Sequence, residues 1–103
     1  MDVIYTKEVE KFVLQLEESI LKKTLRTIDL LEKFGYELLL PYSRALGNGL
    51  FELRIRGQKN VRVLYCFHKN RAILLHSFIK KTQVIPKKDF NLAITRMKHL
   101  THL

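Results

Sequence analysis

Residues 50–81 constrain the fold of this 103-residue chain more than any other segment. They contain three apolar runs rich in β-branched and aromatic residues, separated by polar turns at residues 57–60 and 69–70. Runs of this kind joined by short turns predict a three-stranded antiparallel meander. The same segment carries several lysines and arginines but a single acid, Glu52, so the predicted sheet also presents positive charge.

The flanking segments predict helices and one further strand. Residues 2–5 favour extended structure, and apolar residues at helical spacing over residues 7–34 predict a helical hairpin or one bent helix. Residues 35–49 contain Pro41 and three glycines and are interpreted as a loop. An amphipathic helix is predicted to begin at Pro86, a residue that suits a first helical turn.

These elements predict a small α+β fold in the order β-α-α-β-β-β-α. The N-terminal helical hairpin and the C-terminal helix are expected to pack on a curved antiparallel sheet. A length of 103 residues, of which 47% are hydrophobic, fits one domain spanning residues 1–103 with a core of its own.

Charge is divided unequally along the chain. The formal net charge is +9. Residues 1–50 are close to neutral, whereas residues 51–103 carry twelve lysines and arginines and only two acids, Glu52 and Asp89. A basic half of this kind indicates a polyanionic partner, most simply nucleic acid, or an acidic protein.

The cellular compartment is inferred from the single cysteine and from the segments that the sequence lacks. Cys66 is the only cysteine, so no disulfide can form within one chain and a reducing cytoplasm is expected. No apolar run reaches the roughly 18 residues that a membrane span needs, and the first residues do not resemble a signal peptide.

Two arginines are expected on one face of the first meander strand. Side chains alternate along a strand, so Arg54 and Arg56 lie opposite the apolar residues of residues 50–56. Phosphate is the natural ligand of such a pair, because guanidinium groups bind it bidentately. The alternative is a polar outer face in which Arg54 pairs with Glu52.

Arg62 is a charge in the middle of the predicted sheet, and its face depends on the first turn. A three-residue turn places it opposite Arg54, whereas a two-residue turn moves it to the other face. The neighbouring run is apolar on both faces, which is typical of a central strand covered on both sides. Cys66 is expected to be a buried apolar residue.

No cofactor or metal is predicted from the residues. The cysteine and histidines lack the spacing of a metal site, and there is no glycine-rich phosphate loop. His76 lies within an apolar run, where a structural histidine is the more common interpretation.

Three segments of the chain resemble a known family. They read LGNGLFELRI, RVLYCF and ILLHSFIKKTQVIPKKD, and in this order they resemble the phage-derived, HigB-like branch of the RelE/ParE toxin superfamily. The resemblance covers about four fifths of the chain and implies the small RelE-like α+β domain described above. It also implies a toxin of a type II toxin–antitoxin system, a metal-independent endoribonuclease that cuts mRNA in the ribosome and so inhibits translation.

The resemblance also implies site residues. Arg54 matches a basic residue of the family's second strand, Arg62 matches the arginine of an R-[VL]-x-Y motif, and Lys80 or Lys81 matches the basic residue ending the last strand. The tyrosine that relatives of RelE place after that strand is absent here, so His76 becomes the proposed proton carrier, since imidazole titrates near neutrality. Four further cations are assigned to RNA binding: Arg56, Arg71, Lys87 and Lys88.

Three functions are compatible with the sequence. The first is the ribosome-dependent endoribonuclease, and the second is a ParE-like inhibitor of DNA gyrase without nuclease activity. The third is a nucleic-acid-binding module that has neither activity. For a toxin, the resemblance implies a cognate antitoxin, often a helix-turn-helix DNA-binding protein.

Overall fold

Residues 1–102, with side chains for residues 1–100, are described by a computed structural model of the protein. Within them lie five strands and three α-helices. The strands are β1 (Asp2–Tyr5), β2 (Ser43–Gly47), β3 (Leu50–Ile55), β4 (Val61–His68) and β5 (Arg71–Ile79). The helices are α1 (Lys7–Leu14), α2 (Glu18–Phe34) and α3 (Lys87–Lys98), and short 3-10 helices span Gly35–Glu37 and His99–His102.

The five strands form one sheet in the order β1-β5-β4-β3-β2. β1 runs parallel to β5, and every other neighbouring pair is antiparallel. β4 lies at the centre, and its residues Val61 to Cys66 are all buried. The prediction of a central strand covered on both faces is therefore confirmed.

Helices cover both faces of the sheet and create two apolar cores. α1 and α2 pack on one face, where Val9, Val13 and Leu31 meet residues of β3, β4 and β5. α3 packs on the other face through Ala93, beside Leu64. α3 packs against β4 and β5, and polar side chains surround Arg54 and Arg62 at one end of the sheet.

The predicted α+β class is confirmed, together with the relative order of the predicted elements. The N-terminal helical segment is a pair of helices rather than one bent helix, with the break at residues 15–17. No helix within residues 1–102 combines the length and the apolar character that crossing a membrane requires.

The interpretation of residues 35–49 as a loop was wrong, because part of this segment forms β2. This edge strand pairs with β3, and the two are joined by Asn48 and Gly49. Both residues have positive φ, 58° and 80°, as a type I′ hairpin turn requires. An Asn-Gly pair is a strong hairpin signal, but the neighbouring glycines and Pro41 favoured the interpretation as a loop.

The register between β3 and β4 resolves the face of Arg62. Ile55 pairs with Val61, and Arg54 stands directly opposite Arg62. This is the register expected from the three-residue turn, so the two arginines share one face of the sheet.

Candidate functional site

A buried carboxylate lies at the centre of the arginine-rich end of the sheet. Glu52 of β3 is fully excluded from water. Its Oε1 atom is 3.0 Å from Nε of Arg44 and 3.7 Å from Nε of Arg54. Its Oε2 atom is 3.4 Å from Nε of Arg62. One acid thus contacts three arginines that come from three adjacent strands.

The strands place these side chains together through their register. Within β3, Glu52 and Arg54 are two residues apart and so share a face. Arg62 reaches the same face because it pairs with Arg54. Arg44 pairs with Glu52, and a register shift between Ala45 and Gly47 produces that pairing. Without the shift, the hairpin would place Arg44 on the opposite face.

The cluster holds more positive charge than its acid can neutralise. Arg62 has only 5% of its side chain exposed and Arg54 only 16%. Among the described residues, Oε2 of Glu52 and Nε of both arginines lack a partner with hydrogen-bond geometry. Burial lowers the pKa of Arg62, although Glu52 opposes that effect. An anionic ligand bound over these arginines would offset the excess positive charge.

An open cleft of about 700 Å³ lies over this cluster. Its lining residues are Arg44, Arg54, Arg56, Asn60, Arg62, Lys80, Lys81, Thr82 and Gln83. The described lining contains six cations and no acid. Positive charges that line a concave surface concentrate the electrostatic field there and attract polyanions.

Lys80 adds a titratable group to the cleft. Its backbone N–H donates to the carbonyl of Asn60 at 2.8 Å, which fixes the end of β5 beside the turn after β3. Burial lowers the pKa of Lys80, and the nearby charges of Arg62, Arg44 and Arg54 act in the same direction against Glu52. A lysine in such a setting holds its proton less tightly than a lysine in water.

His76 is held by residues of α3 and is not among the residues that line the cleft. Its Nε2 atom is 2.7 Å from Oδ1 of Asp89, and its Nδ1 atom is 3.2 Å from a guanidinium nitrogen of Arg96. That nitrogen of Arg96 also donates to the carbonyl of Leu75 at 2.8 Å. Both ring nitrogens therefore take part in a network that ties α3 to β5.

Most of the cations predicted from the sequence meet in the cleft, but three do not. Arg54, Arg62, Lys80 and Lys81 line it, and Arg56 lies at its edge with an exposed side chain. Arg71 begins β5, roughly 25–30 Å from Lys80 at about 3.3 Å per residue. Lys87 and Lys88 are exposed in the first turn of α3 and are also absent from the lining.

Arg44 is a lining residue that sequence reasoning missed. It lies in the segment interpreted as a loop, so it had no predicted face. The Asn48-Gly49 pair signalled a hairpin, but the register shift that turns Arg44 toward Glu52 has no equally clear sequence signal.

The assembled groups can bind phosphate and stabilise added negative charge on it. The largely buried guanidinium groups of Arg54 and Arg62 act more strongly on such charge than they would in water. Lys80 can also exchange a proton, whereas the guanidinium groups stay charged.

Comparison with known families matches residues 11–98 to a family described as phage-derived protein Gp49-like (DUF891). The matched segment contains every residue that lines the cleft. A comparison with curated proteins finds no significant match.

Proposed function

We propose that this chain, which belongs to the phage-derived, Gp49-like family of RelE-like toxins, is a HigB-like toxin that cuts mRNA on the ribosome. It would act in the cytoplasm as one half of a type II toxin–antitoxin system. The observation that carries the proposal is the cleft in which Arg44, Arg54 and Arg62 surround one buried acid, Glu52. Such a cleft favours a substrate that brings its own negative charge.

The proposed reaction needs no group beyond the RNA and the side chains of the cleft. The 2′-oxygen of a ribose attacks the adjacent phosphorus while its proton passes to a base. The bond to the 5′-oxygen breaks, and an acid protonates that oxygen. The products are a 2′,3′-cyclic phosphate and a free 5′-hydroxyl.

Arg54 and Arg62 would stabilise the phosphorane that forms during this attack. Their guanidinium groups are already gathered around Glu52, so little reorganisation is needed when negative charge develops. Lys80 is better placed than His76 to move a proton, because it lines the cleft and its pKa is lowered by burial. Lys81 would contact the neighbouring phosphate.

The proposal includes a cognate antitoxin, a helix-turn-helix DNA-binding protein with an acidic segment. An acidic segment placed in the cleft would neutralise Arg54, Arg62, Lys80 and Lys81. Complementary charge would also accelerate association and make its rate depend on salt.

The direct test is cleavage of a defined mRNA by the purified protein, with and without programmed ribosomes. We expect cuts that require the ribosome and leave cyclic phosphate ends. Gyrase-linked DNA breaks without RNA cleavage would instead establish the ParE-like alternative. Salt-sensitive RNA binding with neither activity would leave a non-catalytic binding module.

A further inference from the structure

A second concave surface adjoins the cleft on the side of α2. This groove, which we call the Tyr42 groove, has a volume of about 360 Å³. Its apolar surface comes from Leu30, Pro41, Tyr42 and Ile55. It shares two lining residues with the cleft, Arg54 and Arg56.

The walls of the Tyr42 groove are tied to the arginines of the cleft. The carbonyl of Tyr42 accepts a hydrogen bond of 2.7 Å from the backbone N–H of Arg54. On the opposite wall, Nζ of Lys23 donates to the carbonyl of Arg56 at 3.1 Å. One backbone hydrogen bond and one side-chain-to-backbone hydrogen bond therefore join the groove to the strand residues Arg54 and Arg56.

The composition of the Tyr42 groove combines an aromatic surface with positive charge. Tyr42 is 43% exposed, which leaves much of its side chain accessible. Lys23 and Arg26 of α2 also line the groove, and the described lining contains no acid. An aromatic face beside cations is the arrangement with which proteins hold single-stranded nucleic acid, since bases stack while cations follow the phosphates.

We propose that the Tyr42 groove is a nucleobase subsite that binds a base next to the phosphate held in the cleft. The base stacks on Tyr42, while Arg26 contacts the phosphate that follows it. This inference rests on the proposed function in one respect only, namely that the cleft binds RNA. The two cations shared with the cleft, Arg54 and Arg56, favour this occupant over a separate protein segment.

The test compares short and long single-stranded RNAs. Oligonucleotides of two and five nucleotides with 2′-O-methyl groups lack the attacking hydroxyl, so binding is measured without cleavage. Each pentanucleotide carries 2-aminopurine at one position, on the 5′ or the 3′ side of the phosphate between its second and third nucleotides. Stacking on Tyr42 should quench the fluorescence of one of these two probes.

Three variants separate stacking from general charge. Tyr42→Ala should weaken the binding of both lengths about five- to a hundredfold, because a dinucleotide already carries the base beside its phosphate, and it should abolish the quenching. Tyr42→Phe should restore both, since it keeps the aromatic face. Tyr36→Ala is the matched control, because Tyr36 is also an exposed aromatic, at 58%, but lies outside both surfaces. Thermal melting of each variant verifies the fold.

A fourth variant, Arg26→Gln, removes one cation of the Tyr42 groove without changing its aromatic surface. Arg26 is exposed on α2, so its replacement should leave the fold intact. It should lower pentanucleotide affinity and reduce the salt dependence of binding.

The outcomes distinguish this proposal from the function on which it rests. If Arg62→Ala weakens all RNA binding while Tyr42→Ala and Arg26→Gln change neither affinity nor quenching, the cleft binds RNA and the subsite is wrong. If no cleft variant changes RNA binding, the proposed function itself fails. If Tyr42→Ala weakens only the binding of an acidic antitoxin segment, the Tyr42 groove is a protein site and our proposal is overturned.

Discussion

The Nε atom of Arg62 lies 3.4 Å from Oε2 of Glu52, and both side chains are almost fully excluded from water. Desolvating such a pair costs several kcal/mol for each ion, so the pair itself is weak evidence of stability. Its consequence is positional. Glu52 keeps the guanidinium groups of Arg44, Arg54 and Arg62 close together, where alone they would repel one another.

We predict that Glu52→Gln is strongly destabilising. Removing the negative charge leaves Arg54 and Arg62 buried without a counterion, which costs about 3–5 kcal/mol of the free energy of unfolding. The matched control is Glu18→Gln, because Glu18 pairs with Lys22 at 3.2 Å but has 82% of its side chain exposed. That change should cost at most about 0.5 kcal/mol. Urea denaturation of both variants measures the difference, and equal effects would contradict the positional role of Glu52.

The sequence predicted the central sheet because its residues alternate or are uniformly apolar. The alternation of β3 placed Glu52 and Arg54 on one face, and the continuous apolar run of β4 indicated burial on both sides. The same patterns left the relative face of Arg62 open, since a change of one residue in the turn reverses it. Only the observed pairing with Arg54 decided between the two registers.

The position of Arg44 in the cleft and the contacts of His76 outside it depend on tertiary structure that local patterns do not encode. Arg44 contacts Glu52 because of an irregularity between Ala45 and Gly47, and a regular hairpin would turn it away. His76 contacts Asp89 and Arg96 because α3 packs across β5. Helical periodicity identified the apolar face of α3 but not its position on the sheet.

We predict that Arg62→Ala lowers the rate of RNA cleavage by about a hundredfold or more. Losing one preorganised donor to the transition state costs on the order of 2.7–4 kcal/mol. Arg71→Ala is the control, since Arg71 lies at the opposite end of β5, away from the cleft. The measurement is single-turnover cleavage on ribosomes, together with growth inhibition at matched expression. Full activity of Arg62→Ala would make Arg62 a structural residue only.

We predict that Asp89→Asn destabilises the protein without weakening RNA binding. The replacement removes a charged acceptor from the hydrogen bond to His76, which should cost about 1.5–3 kcal/mol. His76 does not line the cleft, so oligonucleotide affinity should stay within twofold. Asp29→Asn, an exposed change on α2, serves as the control. A large loss of RNA affinity in the folded Asp89 variant would mean that His76 belongs to the RNA-binding site.

We predict that Cys66 contributes to a loss of stability at alkaline pH. Burial raises the pKa of the Cys66 thiol from 9.0 to about 11. The folded state therefore holds this proton more tightly, and stability falls as pH rises from about 9 to 11. By pH 11 the thiol accounts for roughly 2 kcal/mol of the loss. Comparing the pH dependence of unfolding with that of Cys66→Ala isolates this contribution, and parallel curves would contradict it.

The last prediction concerns the proposed antitoxin and the end of β5. Lys81 is exposed and lines the cleft, so Lys81→Glu reverses charge there without burying an acid. If an acidic antitoxin segment occupies the cleft, this variant should associate at least tenfold more slowly at low salt, and the difference should shrink as salt is added. Lys11→Glu is the matched control, because Lys11 is exposed on α1 and outside the cleft. Stopped-flow association measures both variants. An unchanged rate for Lys81→Glu, with inhibition of cleavage retained, would mean that the antitoxin binds elsewhere and blocks access to the ribosome by its bulk.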